Sequence, residues 1–256
     1  RDANRDVRFD LVLRDEPNQV IPTAWVWAAQ ERWTSFPPPG VPMTMMGVDA
    51  SVGGEDPLVI SPRYDCWFGP LIEVPGKDIP IDRLGAFCSG VILSHRQDAS
   101  PVVVDMGGGY GGPIYEHLSS NEIEVFAHKG AEGSTRRTHD RKQGFVNRRS
   151  EVIWRFREAL DPGQPGGSFI SLPPDAGLVA DLVAPTFEVT ARGIAVEPKK
   201  VLVARLGRST DKGDAVVMCW SRGDASQLGQ IIPRDQRAGR RAPKVVTSKD
   251  RPRTKR

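Results

Sequence analysis

Short β-branched runs alternate with stretches of helical spacing along most of this chain. Met43–Ser51 (MTMMGVDAS) is apolar until an acid near its end, which predicts a buried strand. A Gly53-Gly54 turn separates it from Pro57–Pro62 (PLVISP), a second strand, and Trp67–Val74 (WFGPLIEV) predicts a third. Together these make an antiparallel meander of hairpins. Ile79–Arg96 carries apolar residues at helical spacing, and Pro101–Asp105 (PVVVD) reads as a central strand. Ile114–Leu118 opens a helix, Glu122–Ala127 (EIEVFA) reads as a strand, and Phe145–Leu160 predicts an amphipathic helix. After the turn-rich Asp161–Gly167, Pro173–Ala184 reads as helical, and Thr186–Thr190 and Ile194–Val196 as extended. Pro198–Leu206 and Thr210–Trp220 predict two helices around a break at Gly207. The order predicts an α/β fold, a mixed sheet with helices packed on it.

This pattern divides the chain into three parts. Residues 1–43 form a lead-in, with a short helix over Ile21–Trp33 that Phe36-Pro37-Pro38-Pro39-Gly40 stops. Residues 44–222 hold the alternating elements. Residues 223–256 turn polar and then basic, and are expected to be disordered. The net charge of +3 conceals an asymmetry: ten Lys/Arg against two Asp in 234–256 give the tail +8 and leave −5 for the rest. A roughly neutral body with a basic tail suits a polyanionic partner such as nucleic acid, although a merely solvated tail has the same composition. The three cysteines lack a CxxC pair, against a disulfide framework or zinc site and in favour of a reducing compartment. No apolar run is long enough to span a membrane and no signal peptide opens the chain. The absence of an initial methionine suggests a piece of something longer.

The chemistry rests on carboxylates. Asp49 ends one apolar strand (MMGVD), Asp105 closes another (VVVD), and Asp214 begins an apolar helical run (DAVVM). Any one alone is explained by turn chemistry. Together they place acids at the ends of two core strands and one helix, and ends of neighbouring strands lie about 5 Å apart. Such a cluster needs a cation, because like charges raise each other's pKa. Mg²⁺ or Mn²⁺ meets that need, and two such ions suit phosphodiester cleavage. Asp211, three residues before Asp214 on the same predicted helix face, and Asp56, in the hairpin after Asp49, are candidate additional ligands. As plain structural residues they are a helix N-terminal acid and a turn acid. Lys129, Arg136, Arg137, Arg141, Lys142, Arg148 and Arg149 form a basic stretch that would supply phosphate contacts, or else a solvated face. His128 and His139 stand in or beside it as candidate ligands or proton carriers. Gly107–Gly112 matches GxGxxG after a strand, but three strands and a helix precede it, against a dinucleotide fold. No GxxxxGK[ST] occurs.

Several segments together resemble the nuclease domain of bacteriophage terminase large subunits. VIPTAWVWAAQERW is similar to the stretch preceding that domain, and GVDASVGGEDPLVI to its first acidic strand and hairpin. PVVVDMGGGYGGPIYEHL resembles the second acidic strand and its Gly-containing helix start. GFVNRRSEVIWRFREAL resembles the Asn-bearing helix that follows, and RLGRSTDKGDAVVMCW the closing motif. The resemblance covers roughly residues 17–222. It implies an RNase H-like fold and two-metal cleavage of concatemeric double-stranded viral DNA, with Asp49, Asp105 and Asp214 at the family's acid positions. Asp211 falls where members vary, and Asp56 on a hairpin acid that is not uniformly functional. The resemblance further implies an ATPase domain in the same polypeptide, a portal protein and a terminase small subunit as partners, and the host cytoplasm as location.

The residues leave other classes open. Another RNase H-like enzyme, a junction resolvase or transposase core, would use the same acids and prefer branched DNA. A non-catalytic DNA-binding or assembly module would use only the basic stretch and tail.

Overall fold

The computed structural model describes residues 15–50 and 56–222. The lead-in's first residues, the Gly53-Gly54 turn and the basic tail lie outside these.

The core is a sheet with strand order β3-β2-β1-β5-β6, and β4 also pairs with β2. Its strands are β1 (Met45–Asp49), β2 (Leu58–Tyr64), β3 (Trp67–Phe68), β4 (Ile72–Val74), β5 (Val102–Asp105) and β6 (Val125–His128). β1 runs antiparallel to β2 and parallel to β5, and β5 parallel to β6. The expected mixed sheet is therefore present, with hairpin strands on one side of β1 and parallel strands on the other. Two of the differences from expectation have a local cause. The segment Trp67–Val74 is two short strands, because Gly69-Pro70 interrupts it. Conversely β2 continues through Pro62, where the pattern predicted its end. Pro62 donates no amide, but its carbonyl accepts from Gly69 on the outer side. That side of β2 is paired by β4 only over Leu58–Ile60 and by β3 over Arg63–Tyr64, so no ladder bond is lost between them.

Helices cover both faces. Side chains alternate along a strand, so Met46, Val48, Val102 and Val104 face one way and Met45 and Val103 the other. The first set packs on α2 (Leu84–His95) and α3 (Gly111–Ser120) through Leu84, Cys88, Ile92, Ile114 and Leu118. The second set meets α1 (Thr23–Glu31), α4 (Arg148–Leu160), α5 (Ala176–Val183) and α7 (Asp211–Trp220). Val20, Ile21, Val26 and Ala29 are buried in this second core, so the later part of the lead-in packs with the body of the fold. Between α5 and α7 lie the hairpin β7 (Phe187–Thr190) and β8 (Gly193–Val196), a separate two-stranded sheet, and α6 (Lys199–Leu206). Gly207 ends α6 at φ 71°, the left-handed conformation that glycine takes without strain.

Capping sets two helix starts that matter for the site. The Asn147 side chain accepts from Ser150 N at 2.9 Å and opens α4. This cap places the helix start at Arg148; the preceding Phe145, expected inside the helix, instead bridges to Ile194. Asp175 accepts from Leu178 N at 2.8 Å and opens α5, and it also pairs with Lys212 of α7 at 2.8 Å. Losing an N-cap costs about 1 kcal/mol. Asp175→Ala should therefore lower the urea midpoint by an amount worth about 1 to 2 kcal/mol, with an unchanged slope; an unaltered midpoint would mean that neither contact contributes.

Candidate active site

The acids meet where β1, β5 and α7 come together. Asp49 shares its face of β1 with Met45 and Gly47, the face that looks onto α7. Val48 pairs with Val104, so one step further along the parallel strands stand Asp49 and Asp105. Asp105 lies two residues beyond Val103 and faces α7 as well. α7 can approach because position 47 is glycine: a Cβ there would lie 2.2 Å from the Ala215 carbonyl oxygen and 2.7 Å from Cys219 Cβ. Asp211, Asp214, Ala215, Met218 and Cys219 recur at helical spacing, and the first two are thereby carried to the end of β1.

A lysine joins them. Lys199 Nζ lies 3.2 Å from Asp49 Oδ2, 2.9 Å from Asp214 Oδ2 and 3.7 Å from Asp211 Oδ1. The three carboxylates thus form one cluster around a single ammonium. Thr210 Oγ1 donates to Asp214 Oδ2 at 3.1 Å, and Ser209 Oγ donates to Asp211 Oδ1. Asp105 stands beside this group, half-buried, accepting from Gly107 N at 3.0 Å. Among the described residues no three acids or histidines are already spaced to share a metal ion. The carboxylates are arranged around the ammonium instead.

The electrostatics follow from that arrangement. Burial pushes the Asp49 carboxyl well above the usual carboxylate range; Lys199 opposes the shift, and the charges of Asp214, Asp211 and Asp105 add to it. Asp214 is half-buried, yet Lys199, Arg149 and the hydrogen bonds from Lys199 and Thr210 outweigh its desolvation and hold it low. Burial raises Asp211 despite the Ser209 hydrogen bond and Lys199, and Asp56 and Asp214 contribute to the rise. For Lys199, burial favours the neutral amine, but the facing carboxylates overcome it and raise the pKa. The ammonium therefore stays charged at neutral pH.

Of the expected acids, Asp49, Asp211 and Asp214 converge on one point and Asp105 borders it. Asp56 is exposed, close enough to influence Asp211. His128, opposite Asp105 in the β5–β6 pairing, is half-buried beside the group; burial lowers its pKa while Asp105 and Asp214 counteract. His139 stands elsewhere, exposed, its backbone amide donating to Glu158.

The basic stretch is largely paired within itself. Lys129 and Arg148 both reach Glu132, at 3.7 and 3.2 Å, and Lys142 reaches Asp140 at 3.5 Å. Arg136 lies 3.5 Å from Glu151, and Arg137 donates to the Arg141 carbonyl. The pairs on Glu132 and Asp140 are exposed and worth little, whereas Glu151 is buried and also accepts from Ser134 Oγ at 2.7 Å. Arg149 differs, being turned inward: its Nη1 donates to the Glu197 carbonyl at 2.7 Å.

The sequence singled out the acids that the structure gathers, but not Lys199. A signal was present. Lys199 and Lys200 occupy the first turn of α6, with no acid there, at the helix end where the dipole disfavours cations. A lysine in that position gains from carboxylates that face it from elsewhere.

No protein-family model and no curated protein matches the chain. Solved structures do. The nuclease domain of the large terminase subunit of the bacterial virus Sf6 superposes with a TM-score of 0.60 at 18% identity, over 78% of this chain and 97% of that one. A lysine-to-alanine mutant of that Sf6 domain with manganese and beta-thujaplicinol gives the same values. The large terminase nuclease of the thermophilic phage G20c gives 0.50 at 15% identity, over 80% and 98% of the two chains. The chain thus has the fold of phage large-terminase nuclease domains.

Proposed function

We propose that this chain is a divalent-metal-dependent endonuclease that cuts double-stranded DNA, the nuclease part of a phage packaging machine. The observation that carries the reading is the convergence of Asp49, Asp211 and Asp214 on a single cation, with Asp105 alongside, in this fold. The lysine-to-alanine mutant of the Sf6 domain, solved with manganese, lends the metal to the reading.

The donor set fits a hard cation. Carboxylate oxygens are what Mg²⁺ and Mn²⁺ prefer, and Lys199 Nζ already stands as a cation among them. Asp49 and Asp105, with Asp214 and Asp211, would hold two ions; Asp56 stands further out on the hairpin. Bound there, the ions would supply a nucleophilic water at neutral pH and charge neutralisation at the leaving oxygen. The chain's own contribution is to gather the acids, hold Asp214 ionised and keep the group partly buried. The basic residues from Lys129 to Arg148 would give phosphate contacts, those on Glu132 and Asp140 by exchanging these exposed acids for the DNA backbone. Concatemeric viral DNA as substrate, with a portal protein and small subunit as partners, belongs to the same proposal.

The direct test is nicking of supercoiled plasmid. Cutting should require Mn²⁺ or Mg²⁺ and stop with chelator; binding with a steep salt dependence and no cutting would instead favour an assembly module. Lys199 and a metal would compete for the same oxygens. Lys199→Ala should therefore tighten Mn²⁺ binding about tenfold, read as a larger Mn²⁺-induced rise in melting temperature than in the parent chain. An equal rise in both would separate Lys199 from the metal site.

A further inference from the structure

Lys199 does not reach the acids by its own helix alone. The segment before it, Ile194–Glu197, is tied to the start of α4 at several points. Val146 N donates to the Ile194 carbonyl at 3.0 Å, and Val196 N to Ser150 Oγ at 3.0 Å. Arg149 Nη1 then takes the Glu197 carbonyl at 2.7 Å, two residues before Lys199. Arg149 is itself anchored, since its backbone N donates to the Gly130 carbonyl just beyond β6. Its second terminal nitrogen, Nη2, is buried and has no hydrogen-bond partner among the described residues.

A buried guanidinium nitrogen without an acceptor is costly. From these contacts we infer that Arg149 is a positioning residue, which pins the Glu197 backbone so that Lys199 is held among Asp49, Asp211 and Asp214 and thereby sets how readily a divalent cation displaces it. The inference rests on the metal-site reading given above and assigns Arg149 a task distinct from the six outward basic residues of its stretch. A guanidinium suits that task better than an ammonium. Its fork lets one nitrogen hold the carbonyl while the delocalised charge still acts on Asp214, whereas a lysine has a single head.

The test is a double-mutant cycle read by Mn²⁺ binding, with free Mn²⁺ followed by its electron paramagnetic resonance signal, on the full chain without DNA. Arg149→Lys keeps the positive charge and loses the fork. Placed in the parent chain it should lower the Mn²⁺ midpoint at least about threefold, and placed in Lys199→Ala it should leave the midpoint unchanged. Equal shifts in both backgrounds would show that Arg149 acts by its own charge, and no shift in either would show that it positions nothing; both overturn the inference. Should the Arg149 variant fail to fold, Ser150→Ala loosens the neighbouring tie to Val196 without altering any charge, and the same pattern is expected at smaller size. Plasmid cleavage is scored separately. A chain that binds Mn²⁺ with these midpoints but never cuts overturns the nuclease proposal and supports the role of Arg149. Absence of Mn²⁺ binding in both the parent and Lys199→Ala overturns the two together.

Discussion

Asparagine in place of Asp49 should abolish plasmid cutting, with a fall of at least about a thousandfold, on the order of 4 kcal/mol in the barrier. Asparagine keeps the shape but offers a metal one neutral oxygen instead of a charged carboxylate. The same substitution should not harm the fold. Burial puts the Asp49 carboxyl well above its usual range even with Lys199 beside it. A carboxyl raised in this way costs stability as pH climbs from its unfolded value through its folded one, so at neutral pH the charge is a burden on the fold. Asp49→Asn should therefore melt in chelator at the parent temperature or above it. Activity lost together with a melting temperature lowered by many degrees would assign Asp49 to structure, and retained cutting would remove it from the site.

Alanine at Gly47 should do the opposite, damaging the fold first and the site as a consequence. The added methyl would meet the Ala215 carbonyl at 2.2 Å, Cys219 Cβ at 2.7 Å and Cys219 N at 2.9 Å. Two of these three atoms are backbone, so no rotamer change relieves the contact, and α7 has to move off the sheet. Overpacking of a well-filled core costs about 1 to 3 kcal/mol, occasionally more, and this position stands at the upper end. A urea midpoint lowered by about 3 kcal/mol is expected. Because α7 carries Asp211 and Asp214, cleavage by the remaining folded protein should fall too. A midpoint within about 0.5 kcal/mol of the parent would show that the helix has room to give.

The acids were legible because each stands where a local pattern ends. MMGVD and VVVD are apolar runs closed by a carboxylate, and Asp211 and Asp214 sit three apart at the start of an amphipathic helix. Strand and helix periodicity also show which acids share a face. They do not show which strands are neighbours. The parallel pairing of β1 with β5, which puts Asp49 level with Asp105, depends on α2 and a crossover between them. The break at Gly69-Pro70 and the continuation of β2 through Pro62 likewise depend on which stretch of the neighbouring edge needs an amide.

What the chain's residues determined by themselves is the set of elements, the mixed-sheet class and the candidate acids, since periodicity, capping and turn chemistry act over a few residues. The tertiary structure alone decided what balances the acids. A cluster of carboxylates demanded a cation, and metal was the expectation from sequence. The structure places Lys199 there, 150 residues from Asp49 along the chain, beyond the reach of any local pattern. It also decided that Gly47 is the point of closest approach of α7, because only packing reveals how near two backbones come. Charge neutrality and close packing are properties of the assembled fold, whereas hydrophobic periodicity is a property of the neighbouring residues.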